Sequence, residues 1–162
     1  MTTTNNPVPL DLFLLAMQFE RIAEDLYAQL AQVSQKLEVR KLFATLSSEE
    51  KKHRDLFSGL RRSASSRTAT PQYEQEARQL MRANILPSPA DVSAVALRGD
   101  VTGALKMALK MEQNSVGFYG GLMSLNPEFT GDLARIMQEE QQHAMLISDM
   151  LSTPQGSLSK RS

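Results

Sequence analysis

The sequence predicts an all-α protein, an antiparallel bundle of four long helices built from two copies of one helical hairpin. Apolar residues recur at helical spacing over four long segments. An ungapped alignment of residues 16–30 with residues 108–122 pairs Ala, Glu, Tyr and Leu at the first, fifth, twelfth and fifteenth places. A Glu-Glu-x-x-His segment follows each copy, at residues 49–53 and at residues 139–143. Self-similarity of this kind indicates one supersecondary unit used twice.

The first hairpin is predicted to consist of helices over residues 10–32 and 36–60, with its turn near Ser34. Both segments carry an apolar stripe at the spacing of an amphipathic helix. The residues predicted to face inward are Phe13, Ala16, Met17, Glu20, Ala23, Tyr27, Leu30 and Ala31 on the first helix, and Val39, Phe43, Leu46, Glu50, His53, Phe57 and Leu60 on the second.

A long crossover, residues 61–100, joins the two hairpins. Residues 63–71 have the composition of a loop. A short helix is expected over residues 73–84, and Ser88 to Asp91 should cap another that reaches Leu97 and stops at Gly99. A crossover of this length between the second and third helices suits a bundle made of two hairpins.

The second hairpin is predicted to have helices over residues 101–125 and 128–151. Asp100 or Thr102 is expected to cap the third helix. Asn126 should end it, because a residue before proline disfavours the helical backbone. The chain is expected to form one domain over residues 1–152, followed by a polar tail at 153–162. The inward residues are Leu105, Ala108, Leu109, Glu112, Val116, Tyr119 and Leu122, then Leu133, Ile136, Glu140, His143, Ala144, Ile147 and Leu151.

Composition narrows the classes of function. The 162 residues include 18 basic and 18 acidic side chains, so the net charge of zero predicts no attraction to nucleic acid or anionic membranes. The absence of cysteine from the sequence excludes disulfides, zinc fingers and cysteine-ligated iron–sulfur centres. The N-terminus lacks the features of a signal peptide, and no apolar run approaches a membrane span. We therefore expect a cytoplasmic protein.

Two Glu-x-x-His motifs supply the candidate chemistry. Glu50 with His53, and Glu140 with His143, have the three-residue spacing that places both side chains on one helix face. Two such motifs, with one glutamate from each of two other helices, form the ligand pattern of a carboxylate-bridged di-metal site in a helical bundle. The internal repeat identifies those two further ligands as Glu20 and Glu112.

Chain distances test whether the glutamates of each hairpin are level. Glu20 lies 14 residues before Ser34 and Glu50 lies 16 after it. In the second hairpin, Glu112 and Glu140 both lie 14 residues from Asn126. At about 1.5 Å of rise per residue, antiparallel helices then bring each pair to a similar height.

Under the alternative interpretation, the helix face that carries the four glutamates is predicted imperfectly, and water or lysine side chains satisfy the four carboxylates. Burying four carboxylates without cations would be very costly, or would force them to hold protons. Two divalent cations are the favoured interpretation. A lone histidine would usually belong to the core, whereas two at matched places of a repeat are better explained as ligands. Carboxylate and imidazole ligands without sulfur suit iron or manganese and tolerate zinc.

Five further residues flank these positions. Tyr27 and Tyr119 each lie seven residues after a repeated glutamate, so each phenol is expected to hydrogen-bond a ligand carboxylate or, alternatively, to pack in the core. Glu24 is either an additional ligand or a polar residue at the edge of the stripe. Glu49 and Glu139 point about 100° away from the ligand glutamates, which leaves them to contact a ligand from outside or to remain solvated.

This pattern resembles the ferritin-like, non-haem di-iron superfamily, and within it the rubrerythrin-like branch. The resemblance covers roughly residues 8–151. It implies a ferritin-like four-helix bundle that binds two iron ions. The roles it implies are bridging or nearly bridging carboxylates for Glu50 and Glu140, terminal nitrogen ligands for His53 and His143, and terminal carboxylates for Glu20 and Glu112.

The same resemblance implies an enzyme that reduces hydrogen peroxide, or that oxidises ferrous iron with dioxygen or peroxide, often as a homodimer. Two departures qualify it. Ser115 stands where many rubrerythrins carry a further carboxylate, and the cysteine-rich rubredoxin domain is missing, so reduction would need an external electron donor. An iron-handling protein and a structural di-metal bundle without turnover remain the alternatives.

Overall fold

The computed structural model describes residues 11–64, 70–83, 90–91, 93–94 and 98–153. Within these ranges the chain is helical and contains no strand, which confirms the predicted all-α class. None of the described helices is long and apolar enough to cross a membrane. The helices with complete bounds are α1 (Leu12–Val33), α2 (Leu37–Ala64), α3 (Pro71–Ala83), α4 (Val101–Leu125) and α5 (Thr130–Ser152), with a 3-10 turn at Pro127–Phe129.

The four long helices were predicted to within four residues at each described end. Leu10, the predicted first residue of α1, lies outside the described residues, as does the tail beyond Thr153. The largest difference is at the end of α2, which continues to Ala64 rather than stopping at Leu60. Its last turn carries Arg61 and Arg62, and basic side chains are favourable at a helix C-terminus.

Local side chains define where the helices begin. The Asp11 carboxylate accepts a hydrogen bond from the Leu14 backbone N–H at 2.9 Å and caps α1. Asp100 accepts one from the Gly103 N–H at 2.8 Å and caps α4, so Asp100 rather than Thr102 is the capping residue. Asn126 ends α4, and its backbone N–H donates to the Leu122 carbonyl at 3.0 Å.

The crossover contributes a helix that packs on α4. The predicted helix over residues 73–84 is confirmed as α3, although it begins two residues earlier at Pro71. Ala77 of α3 is fully buried, and Leu80 lies directly over Gly121 of α4. The predicted helix reaching Leu97 falls largely outside the described residues. Within that segment the structure describes residues 90–91 and 93–94, which are helical. Gly99 turns the chain into α4 with a φ of 64°.

Two apolar clusters place the long helices around a shared core, and each draws on all four of them. Helices α1 and α2 pack as one hairpin, α4 and α5 as the other, and α1 also contacts α4. One cluster surrounds Tyr27, and includes Phe43 and Ile147. The other surrounds Tyr119 and includes Phe19 and Phe118, whose rings meet edge-on with their centroids 4.7 Å apart.

Candidate metal centre

Acidic and imidazole side chains are buried in the same four helices that form the apolar clusters. Each is between 1% and 4% exposed, which is unusual for charged side chains unless they are paired. They are the six predicted metal ligands: Glu20 from α1, Glu50 and His53 from α2, Glu112 from α4, and Glu140 and His143 from α5. The structure therefore brings all six predicted positions together.

Ligand atoms of these residues form two overlapping groups, each with one atom per residue and all atoms within 4.8 Å of one another. Glu50 and Glu140 belong to both groups. The groups are Glu20, Glu50, His53 and Glu140, and then Glu50, Glu112, Glu140 and His143. Because the two four-residue groups share two carboxylates, they form one continuous cluster of possible ligands.

The two histidines occupy equivalent surroundings. His53 Nδ1 lies 3.0 Å from Glu140 Oε1, 3.1 Å from Glu50 Oε2 and 3.7 Å from Glu20 Oε2. His143 Nδ1 lies 3.0 Å from Glu50 Oε1, 3.3 Å from Glu140 Oε2 and 3.7 Å from Glu112 Oε1. The internal repeat of the sequence thus reappears as an approximate two-fold arrangement of the cluster, with Nδ1 as the inward atom of both rings.

The buried tyrosines join the two hairpins. The Tyr27 hydroxyl donates a hydrogen bond to Glu112 Oε1, and the Tyr119 hydroxyl donates one to Glu20 Oε1. Each phenol therefore contacts a predicted ligand carboxylate, as expected from the sequence, but the carboxylate belongs to the opposite hairpin. Phe43 stacks on Tyr27 at a centroid distance of 6.0 Å, which helps to hold that ring.

Glu49 and Glu139 contact the outer side of the cluster. His53 Nε2 and Glu139 Oε2 are 2.6 Å apart, and His143 Nε2 and Glu49 Oε2 are also 2.6 Å apart. The glutamate side chains are 44% and 42% exposed, while the imidazoles they contact are almost completely buried. Contact with a ligand from outside, one of the two expected positions for these residues, is the one observed.

Glu24 lies outside both ligand groups. Its carboxylate forms an ion pair with the Arg54 guanidinium, and both side chains are 20% exposed. The repeat places Val116 and Ala144 at the matching positions of the second hairpin, so this ion pair has no equivalent there. The geometry favours the polar residue at the edge of the stripe over the additional ligand.

The central carboxyls resist ionisation. Burial, followed by the nearby charge of Glu20, raises the pKa of Glu50 well above its usual range. Burial and the charges of Glu20, Glu50 and Glu112 raise the pKa of Glu140 in the same way. In the metal-free cluster these two residues therefore ionise less readily than an ordinary glutamate.

The outer carboxyls behave differently. Burial opposes the ionisation of Glu20, but hydrogen bonds with Glu50 and His53 and the charge of His53 lower its pKa below the usual value. Burial likewise opposes the ionisation of Glu112, and hydrogen bonds with Glu140 and His143 lower its pKa. These two carboxyls are therefore anionic in the metal-free cluster.

The histidines and tyrosines are the other buried titratable groups of the cluster. Burial alone would lower the pKa of His53 and His143, but hydrogen bonds with the surrounding carboxylates raise it far above the ordinary histidine value. Burial, then the charges of the glutamates, raises the pKa of Tyr27 and Tyr119 well above 10. Both histidines are imidazolium and both tyrosines are hydrogen-bond donors at neutral pH.

The donor set fits a pair of divalent cations. Oε2 of Glu140 is buried and accepts no hydrogen bond among the described residues, although His143 Nδ1 is 3.3 Å away. Buried acceptors are normally satisfied, and a cation bound in the cluster would satisfy this oxygen. Hard carboxylate oxygens with imidazole nitrogens suit iron, manganese or zinc.

Sequence reasoning missed two parts of the site. The Glu24–Arg54 ion pair was not foreseen, because Arg54 follows a ligand histidine and looks like ordinary surface charge. The pairing of each tyrosine and each outer glutamate with the opposite hairpin was also not specified. The signal for it existed only in the repeat, which implies that contacts across the two copies should come in matched pairs.

Comparison with family models, curated proteins and solved structures finds no match to this chain. The functional assignment consequently depends on the chemistry of the buried cluster itself.

Proposed function

We propose that this chain is a rubrerythrin-like di-iron oxidoreductase that reduces hydrogen peroxide or oxidises ferrous iron. The observation that carries the proposal is the pair of buried four-residue groups that share Glu50 and Glu140. Four carboxylates and two imidazoles match two divalent cations in charge as well as in ligand type. Glu50 and Glu140 would bridge, while the other four residues would each serve one metal.

Iron is the proposed metal because the reaction requires a redox-active ion. Manganese has similar ligand preferences, whereas zinc would fit the donors without redox chemistry. Two iron ions held in the cluster would supply the two electrons that convert one hydrogen peroxide and two protons into two water molecules. We expect an external electron donor to restore the reduced state, since the chain has no cysteine for a rubredoxin-type centre.

The residues around the cluster have defined roles in this proposal. Tyr27 and Tyr119 hold the Glu112 and Glu20 carboxylates in orientation through hydrogen bonds from the opposite hairpin. The buried phenylalanines beside them exclude bulk water, which strengthens the electrostatic interactions of the site. All six ligand residues are at most 4% exposed, so a small oxidant such as peroxide or dioxygen suits the site better than a large organic substrate.

We further propose the ferritin-like arrangement as the finer description of the fold. Each hairpin supplies a glutamate from its first helix and a Glu-x-x-His motif from its second. A long crossover separates α2 from α4, as bundles of ferritin-like connectivity require. The approximate two-fold relation between the histidine environments supports the same arrangement.

A second candidate is an iron-handling or structural di-metal bundle without turnover. The cluster's hydrogen bonds join α1 to α4 and α2 to α5, so cations placed there would also bind the two hairpins together. In that case the metals would contribute mainly to folding. Loss of metal would then reduce stability without abolishing any reaction.

Anaerobic ferrous loading followed by stopped-flow absorbance against peroxide and against dioxygen tests these functions. We expect two iron ions per chain and a rapid near-ultraviolet change on oxidation. A faster reaction with peroxide would favour a peroxidase, and a faster reaction with dioxygen a ferroxidase. Stoichiometric iron that fails to react with either oxidant would instead support the second candidate.

Glu112→Gln is the informative variant because it keeps the side-chain size and the acceptor for Tyr27 while removing one anionic ligand. We expect it to lose about one iron ion per chain and to slow oxidation by at least about tenfold. Glu38→Gln, at an exposed position of α2, is the matched control and should behave as the wild type. Unchanged loading in Glu112→Gln, with normal helical circular dichroism, would contradict the assigned ligand set.

A further inference from the structure

Glu49 and Glu139 are the outermost acidic residues in contact with the cluster. Each immediately precedes a ligand glutamate, and each lies 2.6 Å from Nε2 of the histidine in the other hairpin. An exposed carboxylate of a helix surface is usually solvated, and its ion pairs contribute little. Here the same short contact occurs twice, and its other partner is an imidazole only 4–5% exposed.

These contacts determine which nitrogen of each ring faces the metal ligands. Nδ1 of His53 and of His143 lies within 3.3 Å of Glu50 and Glu140, so Nδ1 is the inward atom. A neutral imidazole carries one proton, and the hydrogen bond made by the other nitrogen decides which tautomer is present. A carboxylate that accepts from Nε2–H leaves the Nδ1 lone pair available to a cation.

We propose that Glu139 and Glu49 are positioning residues, an inference that rests on the proposed metal centre. Each would orient the histidine of the opposite hairpin towards the metal ion which that histidine holds. Glu139 fixes His53, and therefore acts on the group that contains Glu20. Glu49 fixes His143, and acts on the group that contains Glu112. Each outer glutamate thus influences one metal position selectively, although it touches no metal itself.

A purely structural role is the competing explanation, because both contacts also join α2 to α5. A clamp between the helices would affect the two metal positions alike, since both groups share Glu50 and Glu140. Positioning predicts a selective effect on one group. It also predicts rescue by glutamine, whose side-chain oxygen still accepts a hydrogen bond from Nε2–H.

Cobalt(II) titration of the full chain tests the proposal, because the visible spectrum of cobalt reports its coordination without redox chemistry. The variants are Glu139→Ala, Glu139→Gln, Glu49→Ala and Glu49→Gln, with Glu38→Ala as the exposed control on α2. We expect the wild type to bind two cobalt ions per chain. Glu139→Ala should weaken one of them about 10–100-fold and alter its absorption, leaving the other unchanged.

Glu49→Ala should produce the complementary defect, and combining it with His53→Ala should impair both metal positions, whereas Glu139→Ala with His53→Ala should impair only one. Both glutamine variants should retain most of the affinity. Equal weakening of both cobalt ions by Glu139→Ala, no weakening at all, or a glutamine variant as defective as alanine would each overturn the proposal.

The outcomes separate this inference from the proposed function. A wild-type chain that binds no cobalt overturns both. A wild-type chain that binds two cobalt ions but whose iron-loaded form reacts with neither oxidant overturns only the redox function. Normal oxidation together with equal affinities in all four variants overturns only the positioning role.

Discussion

Six titratable side chains lie close together in the buried cluster, and in the metal-free protein bound protons offset the charge of its carboxylates. In the metal-free protein the raised pKa values of Glu50 and Glu140 favour their protonated forms, the lowered pKa values of Glu20 and Glu112 favour their anionic forms, and the raised pKa values of both histidines favour imidazolium. The cluster is therefore close to neutral without metal. It would also be close to neutral with two divalent cations, four carboxylates and two neutral imidazoles, so the proposed metal loading would be an exchange of protons for cations.

This exchange predicts proton release on metal binding. One proton each from Glu50, Glu140, His53 and His143 gives about four protons for two cations near neutral pH, because metal ligands must be deprotonated. Apparent affinity should consequently rise with pH. Isothermal titration with cobalt in buffers of different ionisation enthalpy measures the number released. A value near zero would mean that the four groups are already deprotonated before cobalt binds, and would contradict the exchange of protons for cations.

Removing one tyrosine hydroxyl should weaken one metal position. Tyr27→Phe deletes the donor to Glu112, leaves the ring packed on Phe43, and frees a buried carboxylate to reorient. We expect about tenfold weaker binding at the Glu112 group, in the range found for partners of metal ligands. Metal titration of Tyr27→Phe measures this, with Tyr73→Phe as a control for loss of a phenol on α3. Equal affinity in the two variants would argue against an orienting role for Tyr27.

The ligand positions were predictable from the sequence, whereas their partners across the hairpins were not. Glu20, Glu50 and His53 follow from helical spacing and from the repeat, both of which are local properties. The contact between Glu139 and His53 depends on which helices are neighbours in space. Spacing within a hairpin carries no information on that, and the repeat implies only that such contacts come in matched pairs, so the partners themselves were visible only in the fold.

The helices themselves bury more than the predicted stripes. The prediction omitted several residues that are buried: Leu12, Phe19 and Leu26 on α1, and Ala104, Met111 and Phe118 on α4. Both helices contact a hairpin partner and each other, and α3 also covers part of α4. A helix with several neighbours buries a wider face than the single stripe of an amphipathic helix. On α2, which buries a narrower face, all six buried residues were predicted.

Glycine substitutions in α4 test the packing of α3. An added Cβ at Gly117 meets nothing within 4 Å, so Gly117→Ala should stabilise the protein by about 0.5–1 kcal/mol through helix propensity. At Gly121 the added Cβ would overlap the end of the Leu80 side chain, which must move. Gly121→Ala should therefore gain less, or lose stability. Thermal unfolding of the metal-free variants compares them, and an equal gain would indicate that Leu80 does not rest on Gly121.

For the molecule as a whole, the buried cluster should make stability fall with rising pH in the metal-free protein, and bound metal should remove that dependence above about pH 6.5. His53 and His143 have raised pKa values in the folded state, so their contribution is complete below the ordinary value of 6.5 and declines as pH rises. The raised pKa values of Glu50 and Glu140 act in the same direction above 4.5. Glu20 and Glu112, whose pKa values are lowered, contribute stability that is complete above 4.5 and is lost as the pH falls below that value.

We therefore expect the metal-free protein to lose stability as the pH rises above about 4.5, and more steeply above about 6.5, by up to about 1.4 kcal/mol per pH unit for each proton that the folded state retains and the unfolded chain has released. The metal-loaded protein should change little over the same interval, because its ligands and the matching groups of the unfolded chain are deprotonated alike above about pH 6.5. Melting temperatures measured with chelator and with excess cobalt at about pH 6.5 and about pH 8.5 would show the two trends. Parallel trends would contradict the exchange of protons for cations.

The hydrogen bonds of the centre connect residues far apart in the chain, with separations of 85 residues between Tyr27 and Glu112 and 99 between Glu20 and Tyr119. Contacts within a hairpin close much shorter loops and are expected to form earlier, because loop closure costs more entropy as the loop lengthens. Docking of the hairpins is therefore expected to be a late folding step. It is also the step that buries the acidic cluster, so the protons or cations that neutralise the four carboxylates must be in place when the hairpins dock.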